Sequence, residues 1–152
     1  MQIARAPGRL DLMGGIADYS GSLVLQLPLA DAAFAAAQWS ADTRVHVRTT
    51  HESAAHGHAD VTAHLTDLTA DYGAVRVHFA ADPERHWAAY VAGAITVLHH
   101  ERGITFDRGV RWLLASDVPA GKGVSSSAAI EVAAMQALCG LLGLQLDGRD
   151  LA

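Results

Sequence analysis

D-V-P-A-G-K-G-V-S-S-S-A-A-I-E-V-A-A-M-Q-A-L-C-G-L-L-G-L, running from Asp117 to Leu144, decides the fold. Ahead of it, Val110-Arg111-Trp112-Leu113-Leu114 reads as a strand, and Pro119-Ala120-Gly121-Lys122-Gly123 as a glycine-punctuated turn. From Ser125 onward the residues predict a helix, apolar on nearly every face, with only Glu131 and Gln136 polar before Gly140. A strand, a glycine loop and a helix N-terminus in succession make an anion site. Glycines let the backbone approach closely and adopt positive φ. The first helical N–H groups have no internal partner, and the helix dipole favours negative charge there. Ser125, Ser126 and Ser127 add hydroxyls able to cap the helix, bond phosphate oxygens or ligate Mg²⁺. The plainer alternative is a strand-to-helix turn with no ligand.

Three known phosphate and nucleophile patterns fail on this stretch. Walker A needs a glycine where Ser116 stands, and Gly123 follows Lys122 where Ser or Thr belongs. The dinucleotide fingerprint fails because Ser126 holds its third glycine position. The nucleophile elbow fails because Ser127 replaces its last glycine. What remains, P-x-G-x-G-x-S-S-S-A-A, resembles the nucleotide-binding loop of the GHMP small-molecule kinases, which include galactokinase, homoserine kinase and mevalonate kinase.

The amino-terminal segment carries a second signature. Ile3 alternates with Gln2 and Arg5 in a strand over 2–6, Pro7-Gly8 makes a turn or bulge, and Arg9 to Met13 alternates again. Gly14-Gly15 and Asp18-Tyr19-Ser20-Gly21 are turn chemistry, and Leu23 to Leu27 is an apolar strand closed by Pro28. The run A-R-A-P-G-R-L-D-L-M-G-G-I-A-D-Y-S-G resembles the galactokinase signature A-P-G-R-V-N-L-I-G-E-H-T-D-Y-N-G-G. Ala6-Pro7-Gly8-Arg9, Gly14, Asp18-Tyr19 and Gly21 match it. The two signatures stand in the family's order, roughly a hundred residues apart. Gly15-Ile16 replaces the Glu-His that helps hold galactose, and Ala17 replaces Thr. This form resembles the L-arabinokinase-like members, whose sugar lacks the hydroxymethyl arm.

Elsewhere the reading is coarser. Residues 31–39 are Ala-rich and helical by propensity, but they follow Pro28, and the resembled family has a strand there, so a strand is expected. Thr43 to Thr50 alternates as an amphipathic strand. His51-Glu52-Ser53-Ala54-Ala55-His56-Gly57-His58 lacks the spacing of a helical zinc site and reads as a solvated loop. Val75-Arg76-Val77-His78-Phe79 alternates as an edge strand. Glu84 to Glu101 predicts a helix, with Asp82 as N-cap, Pro83 in the first turn, and His99, His100 and Arg102 complementing the dipole before Gly103 ends it. Leu146 to Ala152 reads as a linker and the start of another helix.

The 152 residues suffice for one domain with a real core, and 51% of them are hydrophobic, which excludes a disordered chain. A net charge of −5 with scattered Arg argues against nucleic-acid binding. No signal-peptide segment or membrane-length apolar run is present. The single cysteine, Cys139, cannot form an internal disulfide; a cytoplasmic setting is expected.

These readings predict an α+β domain with a mixed or antiparallel sheet of roughly five or six strands and helices 84–102 and 125–143 against one face. The resemblance implies the ribosomal-protein-S5-domain-2-like amino-terminal, ATP-binding domain of a GHMP kinase over residues 1–152, without the carboxy-terminal domain. It implies phosphoryl transfer from ATP to a monosaccharide hydroxyl, the anomeric one of L-arabinose or galactose. In that picture Pro119, Gly121, Lys122, Gly123, Ser125, Ser126 and Ser127 line the triphosphate. Ser127 contacts Mg²⁺, Glu131 is an outer carboxylate or a plain helical Glu, Arg9 stabilises transition-state charge, and Gly15, Asp18 and Tyr19 lie at the sugar. The family's catalytic Asp falls beyond this chain. The alternative is a non-catalytic nucleotide- or sugar-binding module, or an inactive fragment. The 152 residues alone are expected not to turn over and to self-associate through a bare face of helix 125–143. A coupled ADP-release assay with a sugar panel, run beside size-exclusion chromatography, checks this. Sugar-dependent ADP release from a monomer overturns it.

Overall fold

The computed structural model describes residues 1–14, 21, 23–50 and 60–151. Five strands form one mixed sheet in the order β1-β2-β5-β3-β4. They are β1 (Gln2–Met13), β2 (Leu25–Trp39), β3 (Arg44–Thr49), β4 (Asp60–His64) and β5 (Val110–Ser116). The pairs β1–β2, β2–β5 and β3–β4 are antiparallel, and β3–β5 is parallel. The helices are α1 (Leu65–Leu68), α2 (Tyr72–Ala80), α3 (Ala89–Arg102), α4 (Ser126–Leu142) and α5 (Gly148–Leu151). A 3-10 turn, His86–Ala88, leads into α3. The expected α+β class holds, with the two long helices over one face of the sheet.

The first two predicted strands are one. β1 runs through Pro7, with a register shift between Pro7 and Arg9 that absorbs Gly8 as a bulge. The next two are also one: β2 continues through Pro28 to Trp39. Pro28 is tolerated because β2 pairs with β5 only from Ala33 onward, so the missing N–H at Pro28 breaks no ladder on that side. The Ala-rich stretch is a strand, as expected, against its helical propensity. Ala33, Ala35 and Ala37 alternate into the core beside Ala6. There they meet Ala129, Ala133, Ala134 and Ala137 of α4. Small side chains on both surfaces let the helix lie close on the sheet, and that packing outweighs propensity.

Three expectations change. Val75 to Phe79 is helical, within α2, and not an edge strand. Val75 and Phe79 are buried while Val77 is 67% exposed, so the buried set has a four-residue spacing and the apparent alternation carried no meaning. Asp71 caps this helix by accepting from the Ala74 N–H at 3.0 Å. Asp82 accepts from the Glu84 N–H at 3.0 Å, but it caps the turn ahead of α3, whose α-helical hydrogen bonding begins at Ala89. The third concerns the bare face expected on α4. Its large apolar residues are buried or half-buried against β1, β2 and α3, and its exposed positions are Ser127, Glu131, Gln136 and Gly140. Exposed apolar side chains line the sheet instead, at Ile3, Leu10, Leu12, Met13, Leu25, Leu27 and Leu113, with Val77 and Tyr90 exposed on the other helices. The run His51 to His58 lies outside the described residues. No described helix is long and apolar enough to cross a membrane.

The β2–β3 connection docks on β5 through backbone alone. Ser40 N–H donates to the Gly109 carbonyl and Gly109 N–H to the Asp42 carbonyl, each at 2.8 Å. A Cβ on Gly109 would overlap the Arg44 backbone, so only glycine fits. Asp42 organises the turn: it accepts from Arg44 N at 3.0 Å, Ser40 Oγ at 2.9 Å and Arg44 Nε at 2.9 Å. The Arg44 N–H, the Ser40 hydroxyl and the Arg44 guanidinium, in that order, lower its carboxyl from an ordinary 3.8 to about 2. Between those values the unfolded chain binds the proton more readily than the folded one. The contribution is therefore complete above 3.8 and is lost as pH falls through about 2. Thermal melts of wild type and Asp42→Asn, taken from about pH 5 downward, should show a Tm gap that narrows toward about pH 2. A gap of constant width would overturn this role for Asp42.

Candidate active site

β5 delivers the chain to the loop. At its end, Asp117 N–H donates to the Ala32 carbonyl at 3.0 Å, and Val118 N–H to Ser116 Oγ at 3.2 Å. Val118 is buried, and its side chain lies under Gly8. A Cβ at Gly8 would stand 2.8 Å from Val118 Cγ1 and 3.1 Å from the Val124 carbonyl oxygen. The next residue of the bulge, Arg9, donates its N–H to that Val124 carbonyl at 3.0 Å. The amino-terminal signature and the glycine loop are thus bonded to each other at the backbone.

Pro119, Gly121, Lys122 and Gly123 are exposed. Gly121 has φ 69°, Gly123 φ 72° and Ser125 φ 58°. The two glycines take the left-handed region without cost. Ser125 does not: among the described residues it is the one non-glycine with positive φ, a conformation disfavoured by about 1–2 kcal/mol. Such strain clusters at functional sites. Ser125 starts α4 by accepting the Ala129 N–H at 3.0 Å through its carbonyl, while its side chain makes no cap. The Ser125 side chain therefore leaves the first N–H groups of this 17-residue helix uncapped. Ser126 is half-buried, and Ser127 is exposed.

Ser127 and Glu131 stand four apart on α4, on one side of the helix, and both are exposed. Burial by the surrounding protein nonetheless pushes the Glu131 carboxyl above its ordinary value. No group of three or more His, Cys, Asp or Glu able to hold a metal occurs among the described residues. A hydroxyl and one carboxylate suit a hard cation that takes most of its ligands from phosphate and water.

Arg9 is half-buried, and its Nε is buried with no hydrogen-bond partner. It lines a cavity of about 360 Å³ with Pro7, Gln26, Pro28, Ala128 and Val132. This cavity lies between the β1–β2 ribbon and the first turns of α4, where Ala128 and Ala129 leave room. A donor with no protein partner beside a helix N-terminus is equipped to stabilise negative charge. A larger apolar groove of about 580 Å³ between α2 and α3 is lined by Tyr72, Val75, Phe79 and Val97, and by none of the residues above. Gly15, Asp18 and Tyr19 lie outside the described residues. Sequence reading passed over Gln26, although a lone polar residue inside the apolar run Leu23 to Leu27 was a visible signal.

The fold and this site define an α+β domain in which a strand, a glycine loop and a helix N-terminus follow one another. Residues 89–152 match the family described as GHMP kinases N terminal domain. The chain is 40% identical over 176 aligned positions to the L-arabinokinase of Arabidopsis thaliana, covering 99% of the chain and 17% of that protein. It is 35% identical to the galactokinase of Chloroflexus aggregans, covering 99% of the chain and 34% of that protein. A crystal structure of mevalonate kinase superposes with a TM-score of 0.78 at 14% identity, over 99% of the chain and 44% of that structure. The Lactococcus lactis galactokinase complexed with galactose gives 0.76 at 23% identity, over 99% and 35%. Sequence and fold together place this chain in the GHMP kinase family, with residues 89–152 matching the family's amino-terminal domain. The chain spans 17% and 34% of the length of these two sequence relatives.

The loop assignment predicts that Gly123→Val weakens ATP binding while the fold survives. Nothing lies within 4 Å of the new Cβ, but φ 72° strains a β-branched residue by about 1–2 kcal/mol and distorts the cradle. Calorimetric titration of ATP with Mg²⁺ into both proteins checks it, and equal affinities overturn the assignment.

Proposed function

We propose that this domain is the nucleotide- and acceptor-binding half of an ATP-dependent sugar kinase that phosphorylates the anomeric hydroxyl of a pentose of the L-arabinose type. One observation carries the reading. The Arg9 N–H to Val124 carbonyl bond sets a guanidinium with a buried, unpartnered Nε beside the N-terminus of α4. Two sources of positive potential therefore converge where a phosphoryl group would pass between donor and acceptor.

The ATP phosphates lie along 119–127, taking hydrogen bonds from loop and helix N–H groups and from the Ser125, Ser126 and Ser127 hydroxyls, with Lys122 at the rim. Mg²⁺, held by Ser127 and phosphate oxygens with Glu131 as an outer carboxylate, would neutralise charge on the triphosphate. In the transfer, the bond from the γ-phosphorus to the bridging oxygen breaks and a bond to the sugar oxygen forms. Arg9 donates to the negative charge spread over the equatorial oxygens, which is where such a transition state needs help. The hydroxyl proton leaves to a carboxylate base, a role we assign to no residue of this chain. Asp18 and Tyr19 hold sugar hydroxyls in this scheme. The 40% identity to an L-arabinokinase supports the pentose, as does Gly15-Ile16 in place of the galactokinase Glu-His.

Losing two polar partners removes hydrogen bonds to galactose of about 1–3 kcal/mol each, and Ile16 favours an apolar sugar edge. In the full-length protein, kcat/KM across a monosaccharide panel should therefore be higher for L-arabinose than for galactose, with the product identified as the 1-phosphate by ³¹P NMR. A clear galactose preference overturns the pentose assignment. ATP turnover indifferent to every sugar overturns the sugar-kinase reading itself.

A further inference from the structure

We propose that Gln26 is a specificity-determining residue of this site, its amide oriented by Asp11 so that its carbonyl oxygen accepts a hydrogen bond from one hydroxyl of the acceptor sugar. The proposal rests on the sugar-kinase reading above. Gln26 and Asp11 are directly paired across the β1–β2 ladder. Gln26 Nε2 donates to Asp11 Oδ1 at 2.6 Å. An ionised carboxylate only accepts, so it dictates which end of the amide faces it; the nitrogen must turn to Asp11. The side chain's other polar atom, the carbonyl oxygen, is an acceptor whose position the pairing settles.

Gln26 is half-buried and lines the same cavity of about 360 Å³ as Arg9. Among the described residues, the remaining lining is Ala6, Pro7, Pro28, Ala128, Ala129 and Val132, all without side-chain polar atoms. The cavity therefore offers one cationic donor and one amide, set in an apolar wall. A hydroxyl is the ligand group that both accepts and donates, so it can take a hydrogen bond from Arg9 and give one to Gln26. An apolar group satisfies neither, and a purely anionic group satisfies only Arg9. Buried polar groups of this kind discriminate strongly against an analogue that lacks the matching hydroxyl, because they are left unpaired. Asp11 is a positioning residue in this arrangement: it acts on the sugar only through Gln26.

The test uses the full-length protein and compares wild type, Gln26→Leu and Asp11→Asn on the preferred sugar and its singly deoxygenated analogues. In wild type, removing one particular hydroxyl should lower kcat/KM by about tenfold. In Gln26→Leu that discrimination should vanish for this analogue alone, while the other deoxy sugars are still rejected and KM for ATP is unchanged. Asp11→Asn keeps the shape but can itself donate to the Gln26 oxygen, so it should erode the same discrimination selectively. An identical deoxy-sugar profile in wild type and Gln26→Leu overturns the proposal and leaves the kinase reading standing. If Gln26→Leu does not fold, Asp11→Asn decides: selective erosion supports the proposal and an unchanged profile overturns it. A wild-type protein that phosphorylates no sugar overturns both.

Discussion

The hydrogen bond from the Arg9 N–H to the Val124 carbonyl, closed over a glycine with no room for a side chain, is the constraint on which the site depends. Gly8 lets β1 bulge directly onto Val118 and Val124. Without that close approach, the strand carrying Arg9 and the loop leading into α4 would be separate surfaces. With it, a cation from the start of the chain and a helix N-terminus more than a hundred positions later share one cavity. The chain carries a charge of −5, so in our proposal attraction for a polyanion comes from local geometry and not from net charge.

The same closeness recurs between α4 and the sheet. Alanines on β2 and α4 face each other, and the helix settles where its N-terminus meets the bulge. A bulkier interface would lift the helix and move its dipole away from Arg9. Ser125, held at φ 58°, marks where this placement costs something: the chain must turn from the loop into a helix whose axis is dictated by packing. Core packing and site geometry are therefore one problem. The alanines that stabilise the domain also position the N–H groups that face the phosphates in our proposal.

The domain presents its helical face as core and its sheet as surface. Leu10, Leu12, Met13, Leu25 and Leu27 extend along the β1–β2 ribbon past the reach of β5, exposed to solvent. α4 instead turns its apolar residues inward and shows Ser127, Glu131 and Gln136. An apolar helix in a sequence does not reveal which element will be left bare; the layer that covers it does.

Much of the fold was legible because local chemistry specifies it. Pro-x-Gly-x-Gly before a serine run, a strand before it and an apolar helix after it require a turn with positive φ and a helix N-terminus. Around Pro7-Gly8 the alternation predicted two strands about a turn or bulge; pairing with β2 makes them one bulged strand. Short segments were the failures, for a physical reason. Val75 to Phe79 alternates like a strand, yet which of its residues are buried was set by α3 and by the Asp71 cap, not by its own pattern. The Ala run 31–39, by contrast, is the strand expected despite its helical propensity, because it pairs with β1 and β5 and packs on α4. Gln26 was overlooked because its meaning needs Asp11 opposite it and Arg9 beside it, a relation that exists only once the strands are paired. The sequence by itself determined the local backbone chemistry of the loop, its positive-φ glycines and the helix N-terminus that follows. The tertiary structure alone decided which side chains share a cavity, because burial and pairing are properties of partners brought together from distant parts of the chain.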